Sequence, residues 1–279
     1  MTVRVLIFCI LAIIFLGILL RRQIVNYNDE SEPVFIGSFA ETPPDFSEDL
    51  TVVSSNTHFV ENIGLAIEEL QEIPKIDILL LQEVDEIETD RIARELKHNY
   101  VYYPASVHTK HDKNFGNAIL SNWPIKESEK LILPHENPKN GQIRIAVCAI
   151  VVVDKVEILT CTVHTETPWL GYKKRLEQVD FLINNIDENA EYVIVGGDFN
   201  TVSSRSIADL DDLFGDIRLE RATHRVGVTT TRLPVGFAMD HIYTRGMSVL
   251  DAGKHSQAKA SDHLPVWAQL EFGQDGIVK

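Results

Sequence analysis

Cysteine is nearly absent from this chain, and basic residues are in clear deficit. The three cysteines, Cys9, Cys148 and Cys161, show no metal-ligand spacing, which argues against a zinc–thiolate centre. Lysine and arginine number 26 against 41 acids, a formal net charge of −15. That balance disfavours tight, sequence-independent binding to a long nucleic acid, which needs many phosphate contacts from cations. A local basic groove on an acidic body is still compatible with it. Repeats and low-complexity tracts are also lacking. What is left is ordinary globular protein: 279 residues, 44% hydrophobic and 24% charged, enough for one large domain or two small ones.

The one long apolar run lies at the N-terminus. Residues 5–20 are unbroken apolar, flanked by Arg4 and by Arg21 and Arg22. As a helix this run spans about 24 Å at about 1.5 Å per residue, marginal for a bilayer core of about 30 Å, and the arginines can snorkel to make up the difference. No small-x-small cleavage site follows Leu20. Residues 1–22 are therefore expected to form an uncleaved membrane anchor, with a cleaved secretory signal as the alternative. The balanced flanks do not say which side of the membrane the rest occupies. Residues 23–49, acidic and punctuated by Pro33, Pro43 and Pro44, read as a tether or a surface wrap.

From residue 50 onward strands and helices alternate densely. Strands are expected at 51–53, 76–81, 100–103, 118–121, 143–153, 156–163, 192–198, 239–243 and 266–271, and helices at about 60–72, 88–97 and 172–186. This order predicts one α/β domain with a mixed sheet system over 50–273, followed by a short tail, 274–279. Asp154 and Lys155 make a two-residue hairpin turn; pairing Val153 with Val156 then sets Cys148 opposite Cys161, on the face away from His164. The two cysteines read as small buried core residues, with a cross-strand disulfide as the alternative in an oxidising compartment.

Chemistry gathers where the strands end. Residues 192–195 are an apolar strand that runs into Gly196 and Gly197 and then presents Asp198 and Asn200, two apart and so on one face if the strand continues. The glycines would clear space before the acid and let backbone approach a ligand. A plain Asx-type turn is the alternative. Asn56, Glu83, His164, Asp240 and the pair Asp262-His263 also stand at strand ends. A sheet brings such ends together, and converging carboxylates must be offset by a cation. Oxygen donors without thiolates favour Mg²⁺ or Mn²⁺ over zinc.

The segments Val53-Ser54-Ser55-Asn56, Leu80-Leu81-Gln82-Glu83-Val84, Gly116-Asn117-Ala118-Ile119-Leu120-Ser121, Thr162-Val163-His164-Thr165, Gly196-Gly197-Asp198-Phe199-Asn200-Thr201, Asp240-His241-Ile242 and Ser261-Asp262-His263-Leu264-Pro265-Val266 come in the order found in the endonuclease/exonuclease/phosphatase superfamily. The chain resembles that superfamily over about 50–272. The resemblance implies two packed mixed β-sheets flanked by helices, a four-layer α/β sandwich with the site at one end, and metal-assisted hydrolysis of a phosphoester. It implies Glu83 as principal metal ligand, with Asn56 and Asp262 completing or tuning the metal site. It implies Asp198 as the group that orients and deprotonates water, with Asn200 hydrogen-bonding the water or the phosphoryl oxygens. It also implies His263 as stabiliser of charge on phosphorus, oriented by Asp240, and His164 as a further phosphate contact. The superfamily's first strand often carries Trp before the Asn, where Ser55 stands here.

Asn117 and Arg144 are candidate pocket-wall and phosphate contacts, or else a structural amide and a solvated arginine. Two basic stretches, His108, Lys110, His111 and Lys113, and Arg218, Arg221, Arg225 and Arg232, could grip an anion or be solvated faces. Trp169 could stack on a base, dip into lipid or pack under the next helix. Three functions follow: a membrane-anchored phosphoesterase acting on a small or lipid-borne substrate, a nuclease of the same chemistry, and a non-catalytic binding protein.

Overall fold

The computed structural model describes residues 24–41, 49–60, 62–108, 110–231 and 235–273. The expected anchor, residues 1–22, lies outside them, as does the tail 274–279. Among the described residues no helix is long and apolar enough to cross a membrane.

The strands in chain order are β1 (Val25–Asn26), β2 (Phe35–Gly37), β3 (Asp49–Asn56), β4 (Ile78–Val84), β5 (Asn99–His108), β6 (Lys113–Ser121), β7 (Ile125–Ile132), β8 (Ile145–Val153), β9 (Val156–His164), β10 (Tyr192–Asp198), β11 (Glu220–Arg221), β12 (Asp240–Arg245), β13 (Met247–Lys254) and β14 (Val266–Phe272). Four helices are described: α1 (Ile63–Gln71), α2 (Glu86–Leu96), α3 (Tyr172–Ile183) and α4 (Ser204–Asp216). One sheet runs β1-β5-β6-β4-β3-β14-β13 with β2 also on β5; the other runs β11-β12-β10-β9-β8-β7. Each is mixed: β3 and β4 are parallel, as are β9 and β10, and the other pairs are antiparallel.

Three apolar clusters correspond to three interfaces between four layers. Leu80, Ile119, Val147, Ile194 and Ile242 pack between the sheets. Val163, Val195, Val179 and Phe214 join the second sheet to α3 and α4, while Leu79, Leu81, Ile67 and Ile92 join the first sheet to α1 and α2. Burial on both faces explains why β4 opens with a continuous apolar run rather than an alternation. The expected sandwich is therefore the observed one.

Three details differ from the sequence reading. Residues 24–41 are a surface wrap, the second of the two readings of 23–49, and not a tether, because β1 and β2 are hydrogen-bonded to β5 along the sheet edge. Cys148 does face Cys161 in register, but the two are joined as a disulfide with Cα atoms 4.1 Å apart; directly opposed side chains on adjacent strands are close enough to bond. The glycines before Asp198 serve packing rather than ligand access. A Cβ on Gly196 would lie 2.7 Å from Leu80 Cδ1 of the facing sheet, and one on Gly197 would collide with the Val163 carbonyl.

Candidate active site

Both sheets end in polar side chains at the same edge of the sandwich. Parallel pairing of β9 with β10 sets His164 beside Asp198, and antiparallel pairing of β10 with β12 sets Asp240 on the other side of Asp198. The opposite sheet contributes Asn56 and Glu83. Glu83 sits at a bulge between Gln82 and Val84 with φ of 58°, a left-handed conformation that takes it out of the ladder. Below it Gln82 Nε2 donates to Thr162 Oγ1 at 2.8 Å, a buried bond that ties the two sheets under the site.

Asn56 connects the acids. Its Nδ2 donates to Glu83 Oε1 at 3.2 Å and to Asp198 Oδ2 at 3.0 Å, while its Oδ1 accepts the His58 amide. In this orientation Asn56 tunes the acids instead of offering its oxygen to a cation. His164 Nε2 stands 3.5 Å from Asp198 Oδ2 and 3.7 Å from Glu83 Oε1. His263 Nε2 is 3.8 Å from Asp198 Oδ2, and its Nδ1 is 2.8 Å from Asp240 Oδ2. Thr229 Oγ1 also donates to Asp240 Oδ2, at 2.6 Å.

Asn200 reaches the site differently from the strand alternation expected of it. The strand stops at Asp198, and Asn200 turns left-handed with φ of 51°. Its backbone N–H donates to Asp198 Oδ1 at 2.8 Å, an Asx-type turn, and its Nδ2 donates to the Thr165 carbonyl. The turn was thus the alternative that applied, and it orients the acid. Asn117 is buried with Nδ2 on the Ile145 carbonyl, a bond between β6 and β8. Arg144 is neither a strand-edge nor a solvated arginine. It is buried, pairs with Glu166 at 3.2 Å, and touches both ring nitrogens of His164 at 3.2 and 3.3 Å.

Asp262 stands at the rim, with Oδ1 3.9 Å from His58 Nδ1. Phe59, which follows His58, forms a three-ring cluster with His108 and His111, its ring centroid 4.1 and 4.6 Å from theirs and theirs 4.9 Å from each other. Of the basic residues singled out in the sequence, Lys113 is paired with Asp85 and Glu88, and Arg221 with Asp211. Arg232 lies outside the described residues. Trp169 is not packed under the next helix: it is 71% exposed, with Lys139 Nζ 3.5 Å over its ring.

The electrostatics divide the imidazoles into two kinds. Burial, reinforced by Arg144 and His263, pushes the pKa of His164 well down, so this ring is neutral. Burial opposes charge on His263 too, but the carboxylates of Asp240 and Asp198 outweigh it and hold its pKa well above the usual value. Burial lifts Asp198 to about 7; Asp240 and Glu83 add to the rise, and His263 and the Asn200 amide oppose it.

This donor set fits a hard divalent cation. Glu83, Asp198, Asp240 and Asp262 face one imidazolium, His263, and the nearby Arg144 is already paired with Glu166. The buried Oδ1 atoms of Asp240 and Asp262 lack hydrogen-bond partners. Asp198, Asp240 and His263 also offer ligand atoms within 4.8 Å of one another. Of that trio, however, His263 and Asp240 are bonded to each other and the ring is held protonated, whereas a ligating imidazole must be neutral. The carboxylate of Glu83 is the better donor on those grounds.

Sequence inspection missed Glu166 and Thr229, and gave Thr162 no role of its own. Glu166 follows His164 by two residues in a stretch with several polar neighbours, and only its complete burial beside Arg144 marks it.

Comparison with known proteins agrees with the geometry. The model of the Endonuclease/Exonuclease/phosphatase family matches residues 53–263. A UPF0294 protein of Vibrio vulnificus is 29% identical over 122 residues, 42% of this chain and 41% of that protein. One of Yersinia pestis is 26% identical over 152 residues, 53% of each. The chain thus spans about half, or less, of the length of these curated relatives. Among solved structures, an endonuclease/exonuclease/phosphatase from Beutenbergia cavernae superposes with TM-score 0.67 and 19% identity, covering 81% of this chain and 72% of that one. An endonuclease/exonuclease/phosphatase family protein from Leptotrichia buccalis gives TM-score 0.66 and 16% identity, covering 80% of this chain and all of that one (100%). D. rerio TDP2 complexed with single-strand DNA product gives TM-score 0.62 and 17% identity, covering 81% and 100%. With strand ends, site and family model in agreement, the chain belongs to the Endonuclease/Exonuclease/phosphatase family.

Proposed function

We propose that the chain is a divalent-metal-dependent phosphoester hydrolase, with its catalytic unit in residues 50–273 and a membrane anchor in residues 1–22, acting on a small or lipid-borne phosphoester. The observation that carries this reading is the single contact network of Asn56, Glu83, His164, Asp198, His263 and Asp240 at one end of the sandwich. Glu83, with Asp262 near it, would hold Mg²⁺ or Mn²⁺. When bound, the ion supplies Lewis-acid stabilisation of charge on the phosphoryl and leaving oxygens.

The remaining chemistry belongs to the protein. Asp198, fixed through Oδ1 by the Asn200 amide, is the base that orients water and takes its proton. His263, kept charged by Asp240, donates Nε2–H toward the phosphoryl oxygens as their charge grows. Neutral His164, braced by Arg144, offers a further hydrogen bond from the strand beside Asp198.

The nuclease alternative draws on the likeness to D. rerio TDP2, which at 17% identity speaks for the fold alone. The pairing of Lys113 and Arg221 with acids of their own fold weakens it further, since both are then committed away from a phosphate backbone. A purely binding role would not need both a neutral and a charged imidazole around a buried acid. The Cys148–Cys161 disulfide favours an oxidising location for the domain.

The test is turnover by the detergent-solubilised protein of a chromogenic phosphodiester, a phosphomonoester, sphingomyelin micelles and supercoiled DNA. Turnover on at least one is expected to require Mg²⁺ or Mn²⁺ and to fall roughly 10²–10⁴-fold in Asp198→Asn. No metal-dependent turnover above an Asp198→Ala control on any substrate would overturn the proposal; a preference for DNA would promote the nuclease.

A further inference from the structure

We infer that the mouth of the candidate site faces a lipid bilayer and docks on it through an apolar rim. This rests on the reading of residues 1–22 as a membrane anchor. The new element is the direction in which the site looks.

The path of the chain gives that direction. Tyr103 of β5 pairs with Asn117, and Asn117 pairs with Gln82, so Tyr103 lies at the level of Glu83. Val107 is four residues further along β5, about 13 Å beyond that level at roughly 3.3 Å per residue. It is there, near the tip of the β5–β6 hairpin, that the described chain enters the fold, with Val25 opposite Val107 and Asn26 opposite Ser106. Because β1 is antiparallel to β5, the backbone traced back from Asn26 to Val25 runs toward the hairpin tip.

The entry is held on several sides. Tyr27 N–H donates to the Ala105 carbonyl, Tyr27 Oη to Asn114 Oδ1, and Asn26 Nδ2 to the Gly141 carbonyl, each at 2.8 Å. Arg22 precedes Val25 by three residues, at most about 10 Å of extended chain. A membrane-embedded segment ending there is too short a leash for the domain to turn its site away.

The surface at this end suits the partner. Eight large hydrophobic side chains are exposed among the described residues, and five of them, Val25, Ile87, Trp169, Val228 and Val235, lie on segments adjoining the site. Ile87 is in the first turn of α2, directly after β4. Val228 and Val235 are on the loop whose Thr229 and Thr230 touch Asp240 and His263. Trp169 follows the His164 strand, and Lys139 over its ring belongs to the loop that holds Asn26. A tryptophan with a cation beside it suits the boundary between headgroups and acyl chains.

The full-length chain reconstituted in phosphatidylcholine vesicles containing doxyl-labelled lipid provides the test. Tryptophan emission should be quenched, and the quenched part should fall by at least half in Trp169→Phe. A tryptophan placed at the far edge, in Trp169→Phe/Leu250→Trp, should add no quenching. If the chain floats with the vesicles and Trp169 is unquenched, or Leu250→Trp is quenched equally, the orientation is wrong while the anchor stands. If the chain does not float with the vesicles, anchor and orientation both fall.

Discussion

Replacing Arg144 by methionine tests whether this residue holds the site together from behind or acts on substrate. Its guanidinium is buried against Glu166, with Nε to Oε2 at 3.2 Å and Nη2 to Oε1 at 3.3 Å. Glu166 is completely buried, and its other donors, Asn137 Nδ2 at 2.9 Å and the Thr167 amide at 2.6 Å, both fall on Oε1. Burial pushes the Glu166 carboxyl up, but Arg144 and Thr167 together hold it below the usual value. Without Arg144 the charge keeps half its hydrogen bonds and loses its counter-ion, so the cost should sit near the lower end of the roughly 3–5 kcal/mol typical of a broken buried pair, about 3 kcal/mol. Glu166→Gln added to Arg144→Met removes the stranded charge and should recover about 2 kcal/mol, because replacing both members of such a pair is often nearly neutral. Urea unfolding of the detergent-solubilised protein, followed by tryptophan emission, measures both values. In parallel, kcat for a turned-over phosphoester should fall about tenfold in both variants, because His164 loses its brace in each. A cost below about 1 kcal/mol for Arg144→Met, or no recovery in the double variant, would refute the bracing role. A rise in KM with kcat unchanged would restore Arg144 as a substrate contact.

Other sites give sharper single readouts. Thr229→Val removes the 2.6 Å donor to Asp240 and should lower stability by about 1–2 kcal/mol in urea unfolding. Gly197→Ala would drive a Cβ into the Val163 carbonyl of the neighbouring strand and should cost about 3 kcal/mol or more, visible as a large fall in thermal midpoint. Burial, with Arg221, pushes His241 down to about 3, far below its unfolded value of about 6.5. The unfolded chain therefore takes up the proton first: this contribution is complete above about pH 6.5 and is lost as pH falls toward 3, by up to about 1.4 kcal/mol per pH unit. His241→Gln should flatten the pH dependence of unfolding free energy over that window, and an unchanged slope would contradict the assignment.

The sequence made the central strands readable and the margins unreadable, for one physical reason. β3, β4, β8, β9, β10 and β12 are mostly buried, so apolar residues recur along them, and β14 alternates buried with half-exposed residues; both patterns stand out by eye. β7, with exposed Lys126, Glu127 and Glu129, and β13, with exposed Val249 and Leu250, are sheet edges where solvent tolerates almost any pattern. α4 was missed because it opens on Ser203, Ser204 and Ser206, which suggest a loop. Ser203 and Ser206 in fact form a reciprocal cap, and Ser206, Leu210 and Phe214, one turn apart, are its buried stripe.

The site divides along a related line. Asp198, Glu83 and His164 were visible because each is a polar residue where a buried strand stops, and His263 because it stands just ahead of one; both are properties of local sequence. What those residues do to one another is not local. Asn200 is two positions from Asp198 whether it continues a strand or folds back through its amide, and only the left-handed turn at φ 51° decides between a shared face and an Asx turn. Arg144 and Glu166 are 22 residues apart, and nothing in either segment indicates that the partner of a buried arginine is an acid behind the site and not a phosphate in front of it. Identity at strand ends can be read from one chain, whereas pairing depends on which ends the two sheets bring face to face. That is why the chemistry of the site was foreseeable and the bracing of His164 was not.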